Sequence, residues 1–238
     1  MATKYKRVLL KMSGEALSGD DGHGISLDTL NFYAKEVKKI ADLGVQVAIV
    51  IGGGNIWRGE GKGKEHMDQA QSHFMGMLAT VINTLALQDA LEHIKVPTRA
   101  MTALHMESVA EPYIRRKAIR HLEKGRVVVF GGGTGNPFFT TDSAAALRCA
   151  EIHSEVLLMA KNGVDGVYSS DPKVDSNAKK LEELDYMHAI NSKLRIMDST
   201  ALTFADEKNI PIIVFNILND DSLVKIINGE KIGSIIKN

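Results

Sequence analysis

The sequence predicts an α/β protein, a three-layer αβα sandwich around a mainly parallel central sheet. Three observations predict it: short apolar runs rich in β-branched residues, helical patterns between those runs, and glycine-rich loops where the runs end. No Pro/Gly/Ser-rich linker and no low-complexity tract interrupts the 238 residues, so the chain reads as one domain over 1–238.

The runs Arg7 to Lys11, Val45 to Ile51, Arg126 to Phe130, Glu155 to Ala160 and Ile210 to Asn216 read as buried strands. They are too short for helices and continuously apolar, as strands covered on both faces are. Between the first two, Leu30, Ala34, Val37 and Ala41 fall on one helix face, with Gly44 as the stop. The segment from Asp68 to Ile94 carries Phe74, Met77, Leu78, Val81, Ile82 and Leu87 among its apolar residues, more than one side of a helix requires. It reads either as a central core helix or as a helix whose second side meets another subunit.

Lysine plus arginine equals aspartate plus glutamate at 29 each, so no net field draws the chain to nucleic acid or to a membrane surface. The basic run Arg115, Arg116, Lys117 and Arg120, flanked by Glu111 and Glu123, reads as a solvated helix face. The single cysteine, Cys149, follows an alanine-rich apolar stretch and reads as a buried structural thiol. The N-terminus lacks the pattern of a signal peptide, and no apolar run is expected to cross a bilayer. A cytoplasmic protein is expected.

In a parallel sheet ligands sit beyond the carboxyl ends of the strands, and four loops stand at such ends. The first, Lys11-Met12-Ser13-Gly14, delivers a lysine into a glycine turn, where backbone N–H groups cradle phosphate oxygens and the ammonium supplies a point charge. The second, Gly52-Gly53-Gly54-Asn55-Ile56-Trp57-Arg58-Gly59, adds an arginine able to grip phosphate bidentately. It fails the dinucleotide fingerprint, because Trp57 stands where the last glycine belongs.

The third loop runs from Gly131 to Ser143 and combines glycines, Thr134, Gly135, Asn136, Pro137, Phe138, Phe139, Thr140 and Thr141 with a helix start, a surface suited to anions and hydroxyls. Asp142 reads either as the cap of that helix or as an acceptor orienting the lysine or a metal-bound water. The fourth, Lys161-Asn162-Gly163-Val164-Asp165-Gly166-Val167-Tyr168-Ser169-Ser170-Asp171-Pro172, reads as tight turns, with Tyr168 also able to face an adenine. No Gly-x-x-x-x-Gly-Lys-Ser/Thr sequence occurs, which excludes a P-loop enzyme. Metal-ligand spacing among the histidines and a Gly-x-Ser-x-Gly elbow are likewise missing.

These loops, in this order, resemble the bacterial UMP kinases, a branch of the amino acid kinase superfamily, nearly end to end. The residues that carry the resemblance are Lys11 to Leu17, Gly52 to Gly59, Met75 to Thr80, Thr134 to Ala145, and Met197-Asp198. The resemblance implies the amino acid kinase fold and transfer of the γ-phosphoryl group of ATP to UMP. Mg²⁺ would come with ATP rather than be held by protein side chains. It further implies that Lys11, Met12, Ser13, Gly14, Gly54, Arg58, Asn162, Tyr168 and Asp171 contact ATP, and that Gly53 and Thr134 to Thr141 contact UMP. Lys11, Asp142 and Asp198 would be catalytic.

A homohexamer activated by GTP and inhibited by UTP is implied as well, with Gly19, Asp20, Asp21, Gly22, His23 and Gly24 matching the region linked to GTP. One position departs from the family pattern. His73 stands where an aspartate is usual two residues ahead of Met75, and it is expected to accept from the UMP ribose as a neutral imidazole, with some pH sensitivity. Two other readings are a carboxylate or carbamate kinase on the same fold and a non-catalytic nucleotide sensor.

Overall fold

The computed structural model describes residues 3–58, 67–170, 172, 174–175, 177–192, 194 and 196–238. Its strands are β1 (Arg7–Met12), β2 (Gln46–Ile51), β3 (Thr98–Thr102), β4 (Glu111–Pro112), β5 (Val127–Gly131), β6 (Val156–Lys161), β7 (Val167–Tyr168), β8 (Lys180–Leu181), β9 (Glu183–Leu184), β10 (Ile212–Asn216) and β11 (Ser234–Ile236). The helices are α1 (Leu27–Asp42), α2 (Gln69–His93), α3 (Arg115–Glu123), α4 (Thr141–Glu151), α5 (Tyr186–Asn191), α6 (Ser199–Glu207) and α7 (Ser222–Ile227).

A nine-stranded sheet runs in the order β4-β3-β5-β2-β1-β6-β10-β11-β9. Only the β10–β11 pair in it is antiparallel. This is the mainly parallel α/β sheet that the sequence predicts. All five expected strands form, displaced by one or two residues at their ends. Strand β3 was not expected, because Thr98-Arg99-Ala100-Met101-Thr102 is not an apolar run.

Alternation along each strand sorts the core into two layers. Val8, Leu10 and Met12 of β1, with Val47, Ile49 and Ile51 of β2, face α1, α2 and α7. Leu9 of β1, Ala48 and Val50 of β2, and Leu157 and Met159 of β6 face α3, α4, α5 and α6. The same period of two puts Lys11 on the side of Leu9 and Lys161 on the side of Met159. Both lysines therefore end their strands beneath the α4 layer.

Helix α1 begins where Ser26 Oγ accepts from the Thr29 N–H and closes near Gly44, whose φ is +81°. Helix α2 begins where Asp68 accepts from the Gln71 N–H. By length and composition α2 is apolar enough to cross a membrane, which the sequence reading did not expect. Its buried residues, though, include Ser72, Thr80, Asn83 and Thr84, and it packs beside α1 and on β5, as a core helix does. Phe74, Met75, Leu78 and Ile82 form an exposed apolar stripe on its other side. The basic run lies on α3, where only Ala118 and Leu122 are buried.

Candidate active site

Strands β5, β2, β1 and β6 are consecutive neighbours and all parallel, so the four loops singled out in the sequence leave one edge of one sheet side by side. The chain leaves β1 toward β2 on one side and later returns to pair β6 on the other. That reversal opens the crevice in which α/β sheets bind ligands.

Lys11 occupies the centre of this edge. Its Nζ lies 2.6 Å from Asp142 Oδ1, and the two side chains are only 12% and 18% exposed. Asp142 is not the cap of α4. Thr140 is, its Oγ1 accepting from the N–H groups of Asp142 and Ser143. The carboxylate of Asp142, one turn position inside the helix, is thereby left to meet the lysine.

Asp198 takes a different place. It caps α6, accepting from the Ala201 N–H, and it also accepts from Thr140 Oγ1 and Ser143 Oγ. The two aspartates expected to act together thus divide: Asp142 reaches Lys11, while Asp198 ties the start of α6 to the start of α4.

The first and second loops are pressed together. A Cβ on Gly14 would stand 2.5 Å from the Gly52 carbonyl oxygen, and the Gly52 N–H donates to the Met12 carbonyl at 2.9 Å. Only glycine allows that approach. The Met12 side chain is wholly buried, so its backbone alone faces the crevice, beside the partly exposed Ser13. Gly53 and Gly54 follow in the turn, and Arg58 Nη2 lies 3.0 Å from Glu15 Oε1 of the first loop.

In the third loop Gly135 N–H donates to the Gly132 carbonyl, and Thr134 Oγ1 accepts from the Asn136 N–H. Pro137 is half-buried, whereas Phe138 and Phe139 are 64% and 51% exposed, Phe138 with φ +71°. The His73 ring of α2 packs against Phe138 with centroids 5.2 Å apart, which brings the departure from the family pattern to the third loop. Thr141 opens α4.

The fourth loop borders a cavity of about 640 Å³ whose lining includes Lys161, Gly166, Tyr168, Leu194, Ile196 and Val214. That volume suits a nucleotide-sized ligand. Tyr168 OH donates to Asp165 Oδ1, and Lys180 Nζ lies 2.8 Å from Asp165 Oδ2. The Lys180 contact first, and the tyrosine second, hold the Asp165 carboxyl below its ordinary range. Asn162 accepts from Tyr33 OH at 2.8 Å, and Gly163 turns the chain at φ +75°. The loop is not a tight hairpin: β7 pairs with β8, more than ten residues on. Asp171 lies outside the described residues.

Lys161 is a site residue that sequence reasoning passed over as the start of a loop. Its Nζ donates to the Ile196 carbonyl at 3.0 Å. Burial pushes its pKa down, the nearby Lys11 charge pushes it further, and Asp142 opposes them. The signal was available: Lys11 and Lys161 both end parallel apolar strands at positions facing one side.

The segment Gly19 to Gly24 follows the first loop, and its end meets the second, the Gly24 N–H donating to the Asn55 carbonyl. Gly19–Asp21 form a 3₁₀ turn, Gly22 is left-handed at φ +70°, and His23 Nδ1 lies 2.8 Å from the Asp21 carbonyl oxygen in the open. Among the described residues no group of three or more His, Cys, Asp or Glu is placed to hold a metal.

Residues 6–216 match the amino acid kinase family. The crystal structure of UMP kinase from Bacillus anthracis superposes with a TM-score of 0.95 at 41% identity, covering 98% of this chain and 96% of that one. UMP kinase from Ureaplasma parvum gives a TM-score of 0.92 at 39% identity, with 99% and 100% covered. Uridylate kinase from Archaeoglobus fulgidus gives 0.74 at 28% identity, with 96% and 99% covered.

Proposed function

We propose, from the premise that this chain belongs to the amino acid kinase family, that it is a UMP kinase, transferring the γ-phosphoryl group of ATP to UMP to give ADP and UDP. The observation that carries the reading is the Lys11–Asp142 pair at the centre of four loops leaving adjacent parallel strands. What favours UMP over the acceptors of other family branches is the likeness, over nearly the full chain, to two bacterial UMP kinases.

The chemistry asks little of a general base. A phosphate monoester has a second pKa of about 6, so UMP is an anion able to attack at neutral pH. Transfer through a loose transition state depends on positioning and on neutralising charge between two polyanions. Lys11 meets the transferring group, held in line by Asp142. Lys161, on the same side of the neighbouring strand, is a second cation for the donor phosphates.

The backbone of Met12 to Gly14, with Gly54 and Arg58, cradles ATP, whose base enters the cavity beside Tyr168 and Asn162. Asp171 belongs to the same assignment. Gly53, His73 and Thr134 to Thr141 take UMP, with Phe138 and Phe139 beside the base. Asp198 acts through Thr140, fixing the helix start that carries Asp142. Mg²⁺ bound with ATP would add to the neutralisation of the phosphates.

The family premise extends the proposal to a cytoplasmic enzyme of pyrimidine nucleotide biosynthesis, and to a homohexamer activated by GTP and inhibited by UTP. The exposed stripe of Phe74, Met75, Leu78 and Ile82 supports burial of α2 against another subunit. The open segment 19–24 supports a regulatory contact there.

A panel of nucleoside monophosphates with ATP and Mg²⁺, with and without GTP, tests the reading. UMP is expected to be phosphorylated in preference to the rest. Phosphorylation of carbamate or a carboxylate instead would move the chain to another branch, and nucleotide binding without UDP formation would make it a sensor.

A further inference from the structure

The two triple-glycine turns follow β2 and β5, and both rest on helix α2. A Cβ on Gly53 would stand 2.8 Å from the Gly76 carbonyl oxygen and 2.9 Å from Ala79 Cβ, and one on Gly131 would stand 2.9 Å from Thr84 Oγ1. Beyond the last ladder bond, the sheet no longer dictates how these turns are oriented. Buried polar side chains of α2 do.

Thr80 is 3% exposed, and its Oγ1 accepts from the Gly132 N–H at 2.8 Å while donating to the Met77 carbonyl at 2.6 Å. Both capacities of the hydroxyl are used, which fixes its rotamer. Asn83, three residues on and wholly buried, donates through Nδ2 to the Gly52 carbonyl at 2.7 Å and to Asn55 Oδ1 at 2.7 Å. Asn55 answers, its Nδ2 donating to Asn83 Oδ1 at 3.0 Å and to the Gly24 carbonyl at 2.7 Å. The carbonyl partners at both ends fix which atom of each amide is nitrogen.

Every N–H of this amide pair has an acceptor, and the pair is sealed from water. A satisfied buried network of this kind rigidifies what it touches. The Gly24 N–H also donates to the Asn55 carbonyl at 2.8 Å, so the end of segment 19–24 is gripped at two points.

We propose that Thr80 and Asn83 are positioning residues for the reaction, Thr80 orienting the acceptor-side turn through Gly132 and Asn83, with Asn55, orienting through Gly52 the turn that carries both Gly53 for UMP and Gly54 for ATP. Neither touches a nucleotide; each acts through a backbone group it holds. The proposal rests on the UMP kinase reading for its assignment of the two turns. It goes beyond that reading in naming what sets them.

Thr80→Val keeps the shape and removes the acceptor, leaving the Gly132 N–H unpaired. The KM for UMP is expected to rise by about ten-fold or more while that for ATP stays within about two-fold, and Thr80→Ser is expected to restore it. Asn83→Ala is expected to raise the KM for ATP and the KM for UMP together. Amide exchange at Gly132, read by NMR, is expected to quicken in Thr80→Val and to stay slow in Thr80→Ser.

Equal changes in both KM values of Thr80→Val, or a Thr80→Val protein with wild-type constants, would overturn the proposal. So would unchanged Gly132 exchange, whatever the activity, and this readout stands if Asn83→Ala fails to fold. A wild-type chain that makes no UDP would instead sink the UMP kinase reading.

Discussion

Lys11, at the end of β1, and Asp142, in the first turn of α4, meet at 2.6 Å with less than a fifth of either side chain exposed. In so dry a place the ammonium is worth far more to a developing phosphoryl charge than it would be in water. Lys11→Ala is expected to lower kcat by about 10²- to 10³-fold, a loss of roughly 3–4 kcal/mol. Steady-state kinetics on protein checked for native circular dichroism reads this. Near-normal turnover would remove Lys11 from the mechanism.

Lys161 carries the opposite kind of consequence. Burial first, and the Lys11 charge second, lower its pKa in the folded chain. The unfolded chain therefore holds its proton more tightly, and stability contributed by this group rises with pH between the lowered folded value and the ordinary lysine value of about 10.4. Lys161→Met is expected to raise the denaturant midpoint at neutral pH, to flatten that rise, and to weaken turnover. A variant less stable at neutral pH would contradict the account.

The rings of His73 and Phe138 pack with centroids 5.2 Å apart. His73→Asp is expected to lower the KM for UMP by about ten-fold, since a carboxylate accepts from hydroxyls more strongly. An unchanged KM would show that His73 does not meet the ribose.

Cys149 sits in α4 wholly buried, its Sγ–H directed at the Ser154 carbonyl oxygen 3.9 Å away. Burial, the larger effect, pushes the thiol up to about 12. With almost no thiolate at neutral pH, the native protein is expected to resist alkylation and to react fully once unfolded. Mass spectrometry before and after denaturation reads the difference.

Much of this arrangement is legible in the residues because the strands are short, apolar and covered on both faces. Leu9, Val50, Val129 and Leu158 have no other place to go, and each such run ends in a glycine or a lysine that marks the loop edge. Strand β3 escaped because Arg99 and its threonines hide a buried ladder partner of β5. The Asn55–Asn83 pair escaped for a different reason. Nothing in either local sequence announces a partner 28 residues away, and Asn83 lies in a helix read for its apolar residues alone. Asp142 shows the limit of local rules, since a hydroxyl two residues earlier took the capping role open to both.

The side-by-side placement of β5, β2, β1 and β6 makes the sheet a ruler. Adjacent strands are spaced by about 4.8 Å, so the outermost of the four loops begin roughly 14 Å apart, a distance graduated by main-chain bonds. Exchanging side chains within the loops can retune which molecule is gripped. It cannot stretch the interval between the loops themselves.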